Sequence, residues 1–246
     1  MYDKARFLPA GDKGVVVEFG NSISKEINKK IRSLMLAIEQ AELPGIMELI
    51  PTYRSLLVLY EPLAWKYGDL ILQLEKIEAN LGSLKLPEPQ VILLPVVYGG
   101  EYGPDLNFVS EHAKLTPEEV IKIHTGTDYL IYMLGFTPGF PYLGGMDERI
   151  ATPRLQTPRT KIPAGSVGIA GSQTGVYPIE SPGGWQIIGR TPVKLFDPAR
   201  EKPVLLQAGN YVRFYQITPE EYQEIAQLVE KGQYIVKSEN YSEKEV

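Results

Sequence analysis

Along the first ninety residues the spacing of apolar positions changes period several times. ARFLPA and GVVVEFG, separated by Gly11 and Gly14, predict a short strand or hairpin arm followed by a strand. Residues 21–42 then turn helical, because Ile23, Ile27, Ile31, Leu34 and Ile38 recur at helical spacing with charged residues between them. Leu43, Pro44 and Gly45 stop that helix. IMELIP and SLLVLYEP predict two strands divided by a turn at Thr52 to Arg54. A second helical stripe runs through Leu70, Leu74, Ile77 and Leu81, ends at Asn80 to Gly82, and leads into QVILLPVVY, a strand too apolar to have a wet face. Strand, helix, strand, strand, helix, strand is the order of a ferredoxin-like split βαβ unit, so residues 1–88 are expected to form a small α+β domain.

After Gly99 and Gly100 the pattern changes. TPEE occurs at Thr116 and again at Thr218, each time before apolar residues at helical spacing. Thr is the expected N-cap, Pro occupies the first helical position, and the second Glu closes a capping box. DYLIYML, SVGIAG, GVYPI, WQIIGR, PVKLF, PVLLQ and YVRFYQI lie between the two motifs and read as short strands. Many short strands with helices only at the ends of the stretch predict a closed, mainly β barrel over residues 89–232. Residues 233–246 are polar and are expected to form a frayed tail.

Composition narrows the chemistry. The chain has 246 residues, 43% of them hydrophobic, enough to bury two domain cores. With no cysteine, a disulfide framework, a thiol nucleophile and a cysteine zinc site are all excluded. His112 and His124 form no ligand pair and are expected on a helix surface or in packing, so no metal site is predicted. No signal peptide or membrane-length apolar run is present, which places the expected protein in the cytoplasm, away from membranes. A net charge of −5 argues against nucleic acid as a partner.

One stretch departs from ordinary scaffold. Residues 135–190 hold eleven of the 23 glycines and seven of the 20 prolines. Such density means many fixed turns and close backbone approaches, which the corners of a barrel also require. Charge favours a ligand: Arg149, Arg154, Arg159, Lys161, Arg190 and Lys194 face a single acid, Glu180, in a chain that is acidic overall. A rigid, basic loop set suits a carboxylate or phosphate, whereas the same cations could instead pair with acids elsewhere in the chain. Neither the dinucleotide fingerprint nor a P-loop is spelled anywhere, so no ATP site is expected in this chain. AGSVG resembles a nucleophile elbow at Ser166, but no helical periodicity and no histidine follow it. Ser166, Gln173, Thr174 and Tyr177 remain as polar groups for a pocket, Glu180 as the weak candidate for proton transfer, and Trp185 as a wall or a core residue.

GFTPGFPYLGG, TPR and IPAGSVGIAGSQTGVYPIESPGGWQIIGRT together resemble the B-type subunit (PxpB) of bacterial 5-oxoprolinase, the group that includes the sporulation kinase inhibitor KipI. The resemblance extends to about Gly232. It implies a ferredoxin-like N-terminal domain and a cyclophilin-like C-terminal barrel. It also implies ATP-dependent opening of 5-oxoproline to glutamate together with subunits A and C, with ATP and Mg bound by a partner and no cofactor in this chain. On that reading Arg154, Arg159, Lys161 and Arg190 contact anions, and Ser166, Gln173, Thr174 and Tyr177 supply pocket polar groups.

A different class of function is non-catalytic. Similar proteins in spore-forming bacteria look like inhibitors of a sensor histidine kinase, for which Phe136, Phe140 and Tyr142 would be partner-binding aromatics or, alternatively, core or loop-anchoring residues. Prolyl isomerase activity would follow from barrel likeness alone and ranks last, since fold does not carry activity and both histidines lie outside the barrel segment.

Overall fold

The structure is a computed structural model and describes residues 1–242. The chain divides into two compact units, Met1–Glu88 and the remainder from Pro89.

In the first unit, strands β1 (Arg6–Ala10) and β2 (Gly14–Glu18) form a hairpin, followed by helix α1 (Lys25–Gln40), strands β3 (Ile46–Pro51) and β4 (Ser55–Tyr60), and helix α2 (Tyr67–Ala79). The sheet is antiparallel with order β1-β2-β4-β3. Ser24 starts α1 by accepting a bond from the Ile27 amide at 3.1 Å, which satisfies a donor that the first turn leaves open. Of the predicted stripe, Ile23 precedes the helix and is exposed, whereas Ile27, Ile31, Leu34 and Ile38 are buried with Leu70 and Leu74 of α2 against Val15, Val17, Leu56 and Val58 of the sheet. Each such side chain contributes about 1.5–3 kcal/mol of transfer free energy.

QVILLPVVY does not complete this sheet. The edge beside β2 is taken by β1, whose short connection to β2 makes pairing local and immediate. The apolar strand lies instead in the second unit, where both of its long edges are paired.

The second unit comprises β5 (Gln90–Tyr98), α3 (Leu106–Ala113), α4 (Pro117–Thr125), β6 (Tyr129–Leu134), β7 (Pro141–Gly144), β8 (Arg159–Ile162), β9 (Ser166–Ala170), β10 (Gln173–Val176), β11 (Ser181–Gly183), β12 (Gln186–Arg190), β13 (Tyr211–Gln216), α5 (Pro219–Glu230) and β14 (Ser238–Asn240). Its main sheet runs β10-β9-β12-β5-β13-β6-β7, with β14 added to β5. The outer strands β7 and β10 lie close to each other, so the barrel-like sheet is nearly closed. β5 and β13 pair in parallel, from Val91 opposite Tyr211 to Val96 opposite Gln216. Leu94, Val96, Ile131, Val167, Ile169, Val176, Ile188, Val212 and Phe214 fill the interior.

Both TPEE motifs build the expected caps. Thr116 N–H donates to Glu119 at 2.7 Å and Glu119 N–H to Thr116 Oγ1 at 3.2 Å, and Thr218 and Glu221 repeat the same two distances. Other expectations fail. PVKLF and PVLLQ do not form strands: they meet in one bridge, Phe196 to Val204, with backbone bonds from Leu205 to Leu195 and from Asp197 to Pro203 around a turn built on Asp197. Helix α3 is an additional helix ahead of α4, so the helices do not merely bracket the strands. Part of the supposedly frayed tail is ordered: β14 pairs with β5, Glu239 meets Arg213 at 2.6 Å, and Tyr241 stacks on Tyr211 at 3.8 Å. The rest of that tail, residues 243–246, lies outside the described residues. No helix among the described residues is long and apolar enough to cross a membrane.

Candidate functional site

The glycine-rich stretch folds into a second, smaller cluster on the outer face of the barrel sheet. Strand alternation sends Val167, Ile169 and Val176 inward and leaves Gly168 and Gly175 facing out. Trp185 lies directly on that glycine surface: a Cβ at Gly168 would stand 3.2 Å from Trp185 Cβ, and one at Gly175 only 3.1 Å from the indole ring. A side chain at either glycine would crowd Trp185 by a few tenths of an ångström. Phe140 meets Trp185 edge-on at 5.8 Å and Tyr177 at 5.7 Å, and Ile162, Ala170 and Ile187 complete the cluster. Such aromatic pairs contribute about 0.5–1.5 kcal/mol each beyond the area they bury.

The three predicted partner-binding aromatics take different places. Phe140 is buried at the centre of the cluster, Tyr142 is half-buried against it, and Phe136 is 68% exposed while touching Phe140 edge-on at 5.5 Å. Phe136 also has φ 64°, in the left-handed region where a non-glycine residue costs roughly 1–2 kcal/mol. The turn thus holds one bulky ring out to solvent at an energetic cost.

The basic residues separate too. Arg159 donates to Asp105 Oδ1 at 2.7 Å and to the Trp185 carbonyl at 3.3 Å, and Asp105 Oδ2 accepts from the Ile187 amide at 2.6 Å. Arg159 is therefore a tie between β8, β12 and the start of α3, with its charge already met. Lys161 pairs with Glu180 at 3.1 Å on the surface, so the one acid of the stretch is engaged with a cation there. Arg190 donates from Nε to the Ala164 carbonyl at 2.9 Å. Arg154 is exposed and forms no salt bridge among the described residues. Burial pushes the Tyr177 phenol above its ordinary range, opposed by Arg154, by a bond from the Trp185 backbone and by Arg159. Tyr177 is accordingly neutral at physiological pH, and Arg154 offers the open guanidinium of the group.

Among the polar candidates, Ser166, Thr174 and Tyr177 are all buried, and Gln173 is half-buried at the start of β10. Thr174 points into the barrel interior rather than to the Trp185 side. Its partner there is His124, a residue that sequence reading put on a helix surface or in packing and outside the barrel. The ring is fully buried, stacks on Phe214 at 4.7 Å, and bonds Tyr98 through Nδ1 and Thr174 through Nε2, each at 2.8 Å. Asp105 is a residue that sequence reasoning missed, and His124, expected on a helix surface or in packing, is packed but inside the barrel rather than outside it. His124 was legible in part, because it falls on the apolar side of α4 with Val120. Asp105 carried no local signal, since its partner is 54 residues away. Among the described residues no three His, Cys, Asp or Glu side chains converge as a metal-binding group.

Comparison with known proteins bears on this arrangement. The carboxyltransferase domain, subdomain C and D, family matches residues 5–206. The B-type subunit of the Bacillus subtilis 5-oxoprolinase is 44% identical over 222 residues, covering 86% of this chain and 92% of its own length. This chain belongs to the family of 5-oxoprolinase B-type subunits. The corresponding 5-oxoprolinase subunit of Escherichia coli O157:H7 is 42% identical, over 86% of this chain and 95% of that protein. The crystal structure of TTHA0988 aligns with a TM-score of 0.74 at 37% identity over 84% of this chain, which spans 40% of that longer one. The region matched by the family takes in the whole aromatic and glycine cluster of this 5-oxoprolinase family member, from Phe136 to Arg190.

Proposed function

We propose that this chain is the non-ATP-binding subunit of an ATP-dependent 5-oxoprolinase that opens 5-oxo-L-proline to L-glutamate, acting with subunits A and C. The observation that carries the reading is identity above 40% along nearly the full length of two B-type subunits of 5-oxoprolinase. The first unit is read as the family's ferredoxin-like domain and the second, over residues 89–232, as its cyclophilin-like barrel. A lactam carbonyl is a poor electrophile, so coupling to ATP on a partner subunit, with Mg held there, is chemically sensible. In this chain Arg154, exposed and without a salt bridge among the described residues, is the group suited to the substrate carboxylate or to a phosphorylated intermediate. Phe136, exposed on a strained turn, is suited to seat in a partner subunit.

Reconstitution tests the reading. Omitting this chain from the three subunits should abolish 5-oxoproline-dependent ATP hydrolysis, and undiminished turnover without it overturns the assignment. Arg154→Ala should lower kcat/KM roughly ten- to hundred-fold, the equivalent of losing one charged hydrogen bond of about 1.5–3 kcal/mol. An unaltered rate in a correctly assembled complex removes Arg154 from the site. If a tagged chain retrieves a histidine kinase from its native cell and neither of the other two subunits, the docking function replaces the enzymatic one.

A further inference from the structure

The buried histidine joins the interior of the barrel to the aromatic cluster outside it through a chain of hydrogen bonds whose direction can be worked out. Thr174 Oγ1 lies 3.1 Å from the Gly168 carbonyl oxygen, which can only accept. The single hydroxyl hydrogen of Thr174 is therefore spent on Gly168, and toward His124 Nε2, 2.8 Å away, Thr174 acts as acceptor. Nε2 then carries the hydrogen. In a neutral ring Nδ1 is bare and accepts from the Tyr98 hydroxyl at 2.8 Å. The chain runs from Tyr98 to His124 to Thr174 to Gly168, with every donor matched to an acceptor and both ring nitrogens used.

Its end point is the floor of the cluster. Gly168 faces Gly175 in the β9–β10 ladder, and the β9–β12 ladder shifts register between Ile187 and Gly189, opposite Gly168. Regular ladder bonding is interrupted there, so the Thr174 bond fixes backbone that the sheet itself holds less firmly. Trp185 rests on Gly168 and Gly175 within 3.2 Å of where a side chain would begin, and its backbone is bonded by Arg159 and Tyr177. No compressible side chain separates the glycine floor from the indole, so a shift of that backbone is passed on to Trp185.

We infer that Thr174, its hydroxyl turned toward Gly168 by the Nε2–H tautomer of His124, is a positioning residue that sets the depth of Trp185. The inference rests on the proposed function only in taking the buried Trp185 and Tyr177 cluster, with Arg154, as the site.

The test uses the isolated full chain with Trp65→Phe, which makes Trp185 the only tryptophan. Thr174→Val keeps shape and removes both hydroxyl bonds, whereas Thr174→Ser keeps the hydroxyl. Acrylamide quenching of Trp185 should roughly double in Thr174→Val, with a red-shifted emission, and return to the parent value in Thr174→Ser. Unchanged quenching in a folded Thr174→Val protein overturns the inference, as does a Thr174→Ser protein no better than Thr174→Val. Should Thr174→Val fail to fold, nitrogen NMR of the Trp65→Phe parent decides the tautomer on which the chain depends, and a proton on Nδ1 of His124 overturns it. None of these readouts involves 5-oxoproline. Loss of the enzymatic assignment would leave them untouched, and their failure would leave that assignment standing.

Discussion

At the scale of single residues, burial decides what a charged or ionisable group can do. His124 is held down to about 3 from an ordinary 6.5 because the interior penalises its cation. The unfolded chain takes up this proton near pH 6.5 and the folded chain does not until near pH 3, so the associated stability is present above pH 6.5 and is lost as pH falls. Between pH 7.5 and 5.5 the second unit should lose about 1.4 kcal/mol more in the parent than in His124→Gln, as measured by urea unfolding followed at Trp185. Equal losses in the two proteins would show that His124 is protonated in the folded state or accessible to water. Arg159 and Arg154 give the same lesson from the opposite side. They are five positions apart and chemically identical, yet Asp105 commits one to the scaffold and leaves the other open.

At the scale of elements, what was legible in the sequence was what is decided locally. The helices starting at Thr116 and Thr218 were readable because a capping box closes within four residues. The stripe of α1 was readable because one face is buried at a regular period. Strands β7, β8 and β11, of three or four residues each, carry no such period and exist only because a distant partner is present. The site was legible as a glycine-rich, tryptophan-bearing surface, but not the division of its arginines, which depends on contacts across 54 residues. β14 is the extreme case: Ser238, Glu239 and Asn240 are all exposed and polar, and backbone pairing with β5 and the Glu239–Arg213 bond hold them. Removing residues 237–246 should therefore destabilise the second unit by on the order of 2 kcal/mol in urea unfolding, through lost ladder bonds and an Arg213 deprived of Glu239. A truncated chain of parental stability would mean that β14 contributes nothing to the sheet.

At the scale of the whole molecule, each unit has its own core and its own complete set of sheet partners. Because β1 and not β5 fills the edge beside β2, residues 1–88 alone should give a cooperative thermal transition with the far-ultraviolet dichroism of an α+β fold. A featureless, non-cooperative melt of that fragment would show that the first unit requires the second. The parallel pairing of β5 with β13 also has a consequence for biosynthesis. When β5 has been synthesised its parallel neighbour is still more than a hundred codons away, and parallel partners of such separation associate slowly. The nascent chain must carry Val91, Leu94, Val96 and Val97 without that partner through nearly half of its elongation, a sticky segment following the first unit. Chaperone demand during translation, more than the stability of the finished protein, is where substitutions in QVILLPVVY should first be felt.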